Sequence, residues 1–154
     1  MSDDDISLTY VNGPAARFGG LDITLSLTKQ EADALGSDAA MLADWFDTAL
    51  WTLAMLRTGQ TPRRPADQPQ DPTKGDFYTS INDLGHRLIP RLEGILDAAI
   101  RAHAGLDATY GDLALALDTA RSNAQYRRDT LLGKPRSLFD QWAVTGGPNG
   151  RNYA

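Results

Sequence analysis

The sequence predicts an α+β fold that is mostly α-helical, with an N-terminal β-hairpin packed on a three- to four-helix bundle. Two observations predict it. Residues 6–11 and 21–27 alternate apolar and polar side chains with the period of two typical of half-buried strands, and beyond them apolar side chains recur at helical spacing. A chain of 154 residues suits one domain. We therefore expect a single domain over residues 1–144 and an irregular, glycine-rich tail over residues 145–154.

The net charge of −5 is unevenly distributed along the chain. Residues 1–60 carry nine acidic and three basic side chains, whereas the remainder is nearly neutral. A general nucleic-acid binder normally has a basic excess, so this composition argues against that class. Twelve of the fifteen basic residues are arginine, and alanine is abundant, which is typical of a GC-rich bacterial or phage genome.

The cellular location is predicted from three features. The chain has no cysteine, so a disulfide framework is excluded. Its first residues are acidic, where a secretory signal would be basic and then apolar. The apolar run at residues 39–56 is shorter than ~20 residues and contains Asp44 and Asp47, so we do not expect it to span a membrane. We expect a cytoplasmic protein with no membrane partner.

The first element is the hairpin. Its nine-residue loop, residues 12–20, is rich in glycine and also contains asparagine and proline, which favour turns. A lone two-stranded ribbon is only marginally stable in water. We therefore expect the hairpin either to lie on the helices or to extend into a larger sheet with a second copy of the chain.

The central helix follows. Thr28 and Glu31 have the spacing of a capping box, which predicts a helix start. We expect one helix over residues 29–58, interrupted near Gly36 and stopped at Gly59. Its most apolar stretch is residues 39–57.

This central helix has two different faces. At ~100° per residue, one face is almost wholly apolar, and we expect Leu42, Phe46 and Leu53 there to lie in the core. The opposite face is polar, except for Met41, Trp51 and Met55. A solvent-facing surface does not need a tryptophan, so these three residues, together with Trp142, are the candidate partner-binding residues. They predict self-association, binding of another protein, or both.

Four further segments lie between the central helix and the tail. Residues 59–76 are rich in proline and lack large apolar side chains, which predicts a linker. Its two loose PxxP patterns are compatible with a docking motif, but we favour a plain spacer. Beyond it, we expect a helix from Ser80 to His103 that bends at Pro90, a helix over residues 109–133, and a short docking helix at residues 137–143.

A group of basic residues near the C-terminal end offers one alternative function. With Tyr126 and Trp142 nearby, it could bind nucleic acid by neutralising phosphates and stacking on bases. Acidic residues are interleaved with it, so we favour an ordinary mixed-charge helix end. The candidate residues are Arg121, Arg127, Arg128, Lys134 and Arg136.

Paired carboxylates offer a second alternative, a magnesium-dependent, all-helical nucleotide hydrolase. Asp44 with Asp47, and Glu93 with Asp97, have spacings that place each pair on one helical face. Glu93 and Asp97 lie opposite their apolar stripe, however, so a solvated face is the favoured interpretation. We found no other catalytic or phosphate-binding motif and predict no catalytic residue, metal or cofactor. The leading prediction is a non-enzymatic, oligomeric interaction or assembly subunit.

Overall fold

The structure is a computed structural model that describes residues 8–64 and 67–146. The chain forms two compact units, residues 1–39 and 40–154. The predicted fold class is confirmed, because the protein is mostly α-helical and has an N-terminal, two-stranded antiparallel sheet. The first strand residues predicted from the sequence, and most of the predicted tail, lie outside the described residues. The single domain over residues 1–144 stays a prediction.

The first unit contains the predicted hairpin. Strands β1 (Leu8–Asn12) and β2 (Leu21–Leu25) are antiparallel, with Tyr10 opposite Ile23. A short 3₁₀ turn begins the loop, and the carboxylate of Asp22 accepts hydrogen bonds from the backbone N–H of Arg17 across it. The apolar side chains of both strands remain exposed.

The predicted interrupted helix is confirmed as α1 (Lys29–Leu35) and α2 (Ser37–Thr58). The capping box forms as expected, since the Thr28 hydroxyl accepts from the Glu31 N–H and the Glu31 carboxylate accepts from the Thr28 N–H. Gly36, at φ 55°, separates the two helices. This left-handed conformation strains any residue with a Cβ atom.

The second long helical stretch begins earlier than predicted. It comprises α3 (Lys74–Ile81), a π-helical segment (Asn82–Leu88) and α4 (Ile89–Gly105). The predicted start at Ser80 was wrong, because Thr73 and Asp76 form a capping box further upstream. Pro90 lacks an N–H and lies in the first turn of α4, directly after the π-helical segment. The bend expected at Pro90 stays a prediction.

The predicted helix over residues 109–133 is two helices, α5 (Tyr110–Leu117) and α6 (Arg121–Leu132). Its start is confirmed by a capping box between Thr109 and Asp112. Its continuity was wrong, because Asp118 has left-handed dihedral angles (φ 50°, ψ 53°) that end α5. The short helix predicted at residues 137–143 is α7 (Leu138–Thr145), whose first turn is capped by the Ser137 side chain.

Helices α4, α5 and α6 enclose the apolar core of the second unit. Leu117 packs against this core from α5. The buried core residues are Ile100, Leu113, Ala114, Ala124 and Leu131.

Helix α7 lies against α4 at very short range. A Cβ atom at Gly94 would lie 2.4 Å from the backbone carbonyl carbon of Phe139, so only glycine permits this approach. Next to this contact, Asp140 of α7 is fully buried and accepts a hydrogen bond from Arg101 Nε of α4 at 2.8 Å. These two contacts fix α7 along one side of α4.

Helix α2 runs antiparallel to the α3–α4 stretch. Residues nearer the start of α2 contact residues later in the α3–α4 stretch. Thr52 Oγ1 is 2.8 Å from Ser80 Oγ, and Thr48 Oγ1, one turn earlier, donates to Asp83 Oδ2 at 2.9 Å. The Trp45 ring then meets the guanidinium of Arg91 in α4. This antiparallel helix pair carries the candidate site.

Candidate protein-interaction surface

The buried face of α2 is mostly the face that the sequence assigned to the outside; of its buried residues, Trp45 was placed at the edge of the predicted core face. Its buried residues are Trp45, Thr48, Thr52 and Met55. Phe46 and Leu53, which were expected in the core, are 41% and 45% exposed. The prediction of which face of the central helix forms the core was therefore wrong.

Specific partners explain this reversal. The hydroxyl of Thr48 reaches a carboxylate 35 residues away in sequence, and that of Thr52 reaches a hydroxyl 28 residues away. A buried hydroxyl is costly only when it lacks a hydrogen-bond partner. Because these partners lie far along the chain, the apolar periodicity of α2 alone contains no sign of them.

Because of this reversal, two of the four predicted partner-binding residues are buried in the core. Met55 is 2% exposed and Trp142 is 5% exposed, so neither is available to a partner, and the structure corrects both as core residues. Met41 and Trp51 are half-buried. Trp51 lines a small cavity of about 150 Å³ beneath the proline-rich segment, with Met55 and Arg63.

The proline-rich segment folds back on α2 rather than forming a plain spacer. Arg63 forms an ion pair with Asp47 of α2. The backbone N–H of Thr61 donates to the carbonyl of Gln70 at 2.8 Å, which closes the segment into a loop. One end of the first PxxP pattern lies outside the described residues, so its use as a docking motif stays untested.

The other face of α2 carries a continuous apolar row, in which Leu42 and Ala49 are half-buried and the remaining residues are exposed. Leu42, Phe46, Ala49, Leu53 and Leu56 follow one another at spacings of four and three, which is the spacing of a helix-pairing seam. Leu50 lies beside these five residues, and we call all six together the α2 row. Its large exposed side chains are Phe46 (41% exposed), Leu50 (56%), Leu53 (45%) and Leu56 (64%).

Helix α4 exposes a second apolar row. Its buried side faces α7 and the core through Arg91, Gly94 and Ile100. The opposite side carries four large apolar residues whose exposed fractions lie between 38% and 48%. These residues, which we call the α4 row, are Ile89, Leu92, Ile95 and Leu96.

The two rows share one side of the antiparallel helix pair. On α4, Arg91 marks the side that faces α2. At ~100° per residue, Gly94 lies to one side of Arg91, towards α7, and the α4 row lies to the other side. On α2, Trp45 marks the side that faces α4, and the α2 row is rotated away from it in the same sense about the helix axis as the α4 row is on α4. Because α2 and α4 point in opposite directions, equal senses of rotation bring both rows to the same side. We call this surface, opposite α7, the open face.

The open face exposes more apolar area than the largest apolar patch of a typical monomer does. Together, the two rows expose on the order of 700 Å² of side chain, which exceeds the ~300–600 Å² of the largest apolar patch on a typical monomer. No charged residue lies between Leu50 and Leu56 on α2. An exposed patch of this size is typical of a protein-binding surface.

The residues of the predicted basic cluster make different contacts. Arg128 donates to the Ala108 carbonyl at 2.6 Å and stacks on the ring of Tyr110. Arg136 forms an ion pair with buried Asp140. These two arginines therefore hold the fold together through partners in their own chain.

The rest of the cluster remains at the surface. Arg127 lies 3.9 Å from Asp97, and the two residues line a shallow pocket of about 370 Å³ with Tyr126 and Lys134. Arg121 is exposed at the start of α6. The structure thus leaves Arg121, Arg127 and Lys134 on the surface but does not bring all five predicted residues together.

Two of the four carboxylates proposed for magnesium binding have basic partners instead. Asp47 pairs with Arg63, and Asp97 with Arg127. Within residues 8–64 and 67–146, no group of three or more histidine, aspartate or glutamate side chains is arranged to hold a metal ion.

The buried ionic cluster around Asp140 was not found from the sequence. Its two carboxylate oxygens accept from Arg101 at 2.8 Å and from Arg136 at 2.6 Å. Arg101 also donates to the carbonyls of Leu131 and Lys134, at 2.9 and 3.1 Å. The cluster therefore ties α4, α7 and the end of α6 together. Only the spacing of Arg136 and Asp140, four residues apart, gave a local signal.

Among the described residues, two carboxyl groups have shifted pKa values, both at helix starts. The backbone N–H of Thr109, followed by its hydroxyl, lowers the pKa of the Asp112 carboxyl, and the charge of His103 lowers it slightly further. In the same way, Thr28 lowers the pKa of Glu31. Both shifts are explained by capping boxes and therefore indicate local helix stability.

The fold and this surface define a mostly helical α+β protein with an open apolar face on an antiparallel helix pair. Family models, curated proteins and solved structures were all compared with this chain, and none of them matches it. None of the helices in the described part of the chain is both long and apolar enough to cross a membrane.

Proposed function

We propose that the protein is a non-enzymatic interaction or assembly subunit that binds another protein chain through the open face. The observation that carries this proposal is the exposure of Phe46, Leu53 and Leu56 on the most apolar helix of the chain. A row with helix-pairing spacing whose large side chains are exposed is a ready docking surface for a second helix.

The energetics support a stable complex. At about 25 cal/mol per Å², burial of a face on the order of 700 Å² corresponds to roughly 17 kcal/mol of apolar transfer free energy before the partner surface is counted. Association costs an estimated 4–15 kcal/mol in lost translational and rotational freedom. The face is therefore large enough to support specific binding if the partner is complementary in shape.

The chemistry of the face restricts the partner. A charged surface would lose hydration against the α2 row without gaining a counter-charge, at a cost of several kcal/mol per unpaired ion. We therefore expect a partner surface that is helical, apolar and complementary in shape.

Affinity capture from the cells that encode the protein tests this proposal. Tagged wild-type chain is compared with Phe46→Glu, which places a charge in the α2 row, and with Leu115→Glu, which places one at an isolated residue that is 84% exposed on α5. We expect wild type and Leu115→Glu to retain the same partner chain and Phe46→Glu to lose it. Equal retention by all three, with unchanged circular dichroism, would overturn the proposal.

The two alternatives drawn from the sequence stay predictions, and each has its own test. A nucleic-acid regulator would bind DNA with a steep salt dependence that Arg121→Ala and Arg127→Ala reduce. A magnesium-dependent hydrolase would show metal-dependent turnover of nucleotides that Asp44→Ala and Asp47→Ala abolish.

A further inference from the structure

We propose that the occupant of the open face is a second copy of the same chain. The two copies are related by a two-fold axis that passes near Ala49, with their α2 helices antiparallel. Helices α2 and α4 of each copy then form a four-helix arrangement. This inference rests on the proposed function, because it names the partner of the same surface.

The spacing of the α2 row is nearly symmetric about Ala49. Leu42 and Phe46 lie seven and three residues before Ala49, and Leu53 and Leu56 lie four and seven residues after it. An antiparallel copy therefore places Leu42 against Leu56, and Phe46 within one residue of the position opposite Leu53. A two-fold interface requires this reciprocity, because each residue pair must occur twice.

The central position of the row suits close packing. Ala49 is half-buried and carries the smallest side chain of the row. Where the two copies of Ala49 meet, the backbones can approach to the short end of the 8–10 Å range of interaxial distances. The larger side chains on either side can then interdigitate.

The charges at the two ends of α2 favour the antiparallel arrangement. Asp38 lies in the first turn and Arg57 in the last turn. Pairing with an antiparallel copy brings the acidic end of each helix towards the basic end of the other and also aligns the helix dipoles favourably. A parallel arrangement would bring like charges together at both ends.

The area of the face matches a homodimer. Each partner in a standard-size interface buries about 800 Å², and the two apolar rows supply on the order of 700 Å² before the smaller residues between them are counted. The open face therefore has the size that a stable two-fold dimer needs.

Cross-linking at introduced cysteines tests this arrangement on the full chain. Because the natural sequence has no cysteine, each introduced thiol is the only one in its protein. We expect Ala49→Cys to form a covalent dimer rapidly under mild oxidation, since the axis brings the two thiols together. Leu115→Cys, on exposed α5, is the matched control and should remain mostly monomeric.

A mixing experiment then tests the direction of the helices. In the antiparallel dimer, the two Leu42 positions are ~20 Å apart along the axis, whereas Leu42 and Leu56 are adjacent. We therefore expect Leu42→Cys and Leu56→Cys to cross-link when mixed and to cross-link poorly when each is alone. Efficient cross-linking of Leu42→Cys with itself would contradict the antiparallel arrangement.

The outcomes separate this inference from the proposed function. If Ala49→Cys behaves as Leu115→Cys does, and the purified chain is monomeric, the second copy is not the occupant. A partner that depends on Phe46 would then leave the proposed function standing. If no partner depends on Phe46 either, both proposals fail. Circular dichroism of each variant verifies that a negative result does not come from unfolding.

Discussion

The guanidinium carbon of Arg91 lies 4.6 Å from the centroid of the Trp45 ring, deep inside the second unit. Phe139 and Trp142 of α7 present their rings to the same guanidinium, at 4.9 and 5.7 Å. Three helices therefore meet at one buried cation. The Trp45–Arg91 contact helps to turn the Trp45 side of α2 inward, and this orientation leaves the α2 row outside.

We predict that Arg91→Ala strongly destabilises the protein. Arg91 is fully buried, and its Nη1 also donates to the Arg87 carbonyl at 2.9 Å. Its truncation removes three cation–π contacts and leaves a cavity, at a cost of about 3 kcal/mol in the free energy of unfolding. Urea denaturation measures this difference. Arg121→Ala, at an exposed position on α6, should remain within about 0.5 kcal/mol of wild type.

Removal of the buried carboxylate of Asp140 should be equally costly. Asp140→Ala leaves Arg101, which is 12% exposed, without its counter-charge in a poorly solvated place. We expect a loss of about 3–5 kcal/mol. The matched control is Asp33→Ala, which breaks an exposed ion pair with Lys29, and such exposed pairs contribute only about 0–1 kcal/mol. Similar losses in the two variants would show that the Asp140 cluster does not stabilise the fold.

Because α4 and α7 approach closely at Gly94, we expect that no larger residue fits there. In Gly94→Ala, the new methyl group would overlap the backbone of Phe139, at 2.4 to 2.6 Å, so α7 must shift. We expect a loss of about 3 kcal/mol and a lower midpoint in thermal unfolding. Gly85→Ala is the control, because nothing lies within 4 Å of the place that its Cβ atom would occupy, and alanine favours a helix. A wild-type midpoint for Gly94→Ala would refute the close packing.

The capping boxes predict a specific pH dependence. The pKa of Asp112 is lowered in the folded protein by the N–H and hydroxyl of Thr109. Its contribution to stability is therefore present above the ordinary pKa of an aspartate and is lost as the pH falls through the lowered value. We expect Thr109→Ala to raise the pKa of Asp112 in a ¹³C NMR titration. Thr28→Ala should raise only the pKa of Glu31; equal responses of both carboxyls to either change would contradict local capping.

The local features of this fold could be predicted from the sequence. Thr28 with Glu31, and Thr109 with Asp112, are within one helical turn, and their spacing alone indicates where α1 and α5 begin. The hairpin alternation and the break at Gly36 are equally local. Features of this kind depend only on neighbouring residues, so they can be predicted without knowledge of the tertiary structure.

The orientation of α2 could not be predicted in this way. The inward face contains Thr48 and Thr52, whose partners Asp83 and Ser80 lie in another helix. Periodicity ranks faces by apolar content, and it assigned Phe46 to the core for that reason. The candidate site was therefore missed because the most apolar face, the usual sign of a core, is here the exposed one.

Sedimentation equilibrium of the purified chain over a wide range of concentration tests the central claim most directly. We expect the wild type to approach twice the chain mass of 16.7 kDa as its concentration rises, and Leu115→Glu to behave in the same way. Phe46→Glu should keep the mass of one chain and a wild-type circular dichroism spectrum. A wild-type protein that keeps the mass of one chain throughout, or a Phe46→Glu variant that associates as the wild type does, would contradict the two-fold dimer through the open face.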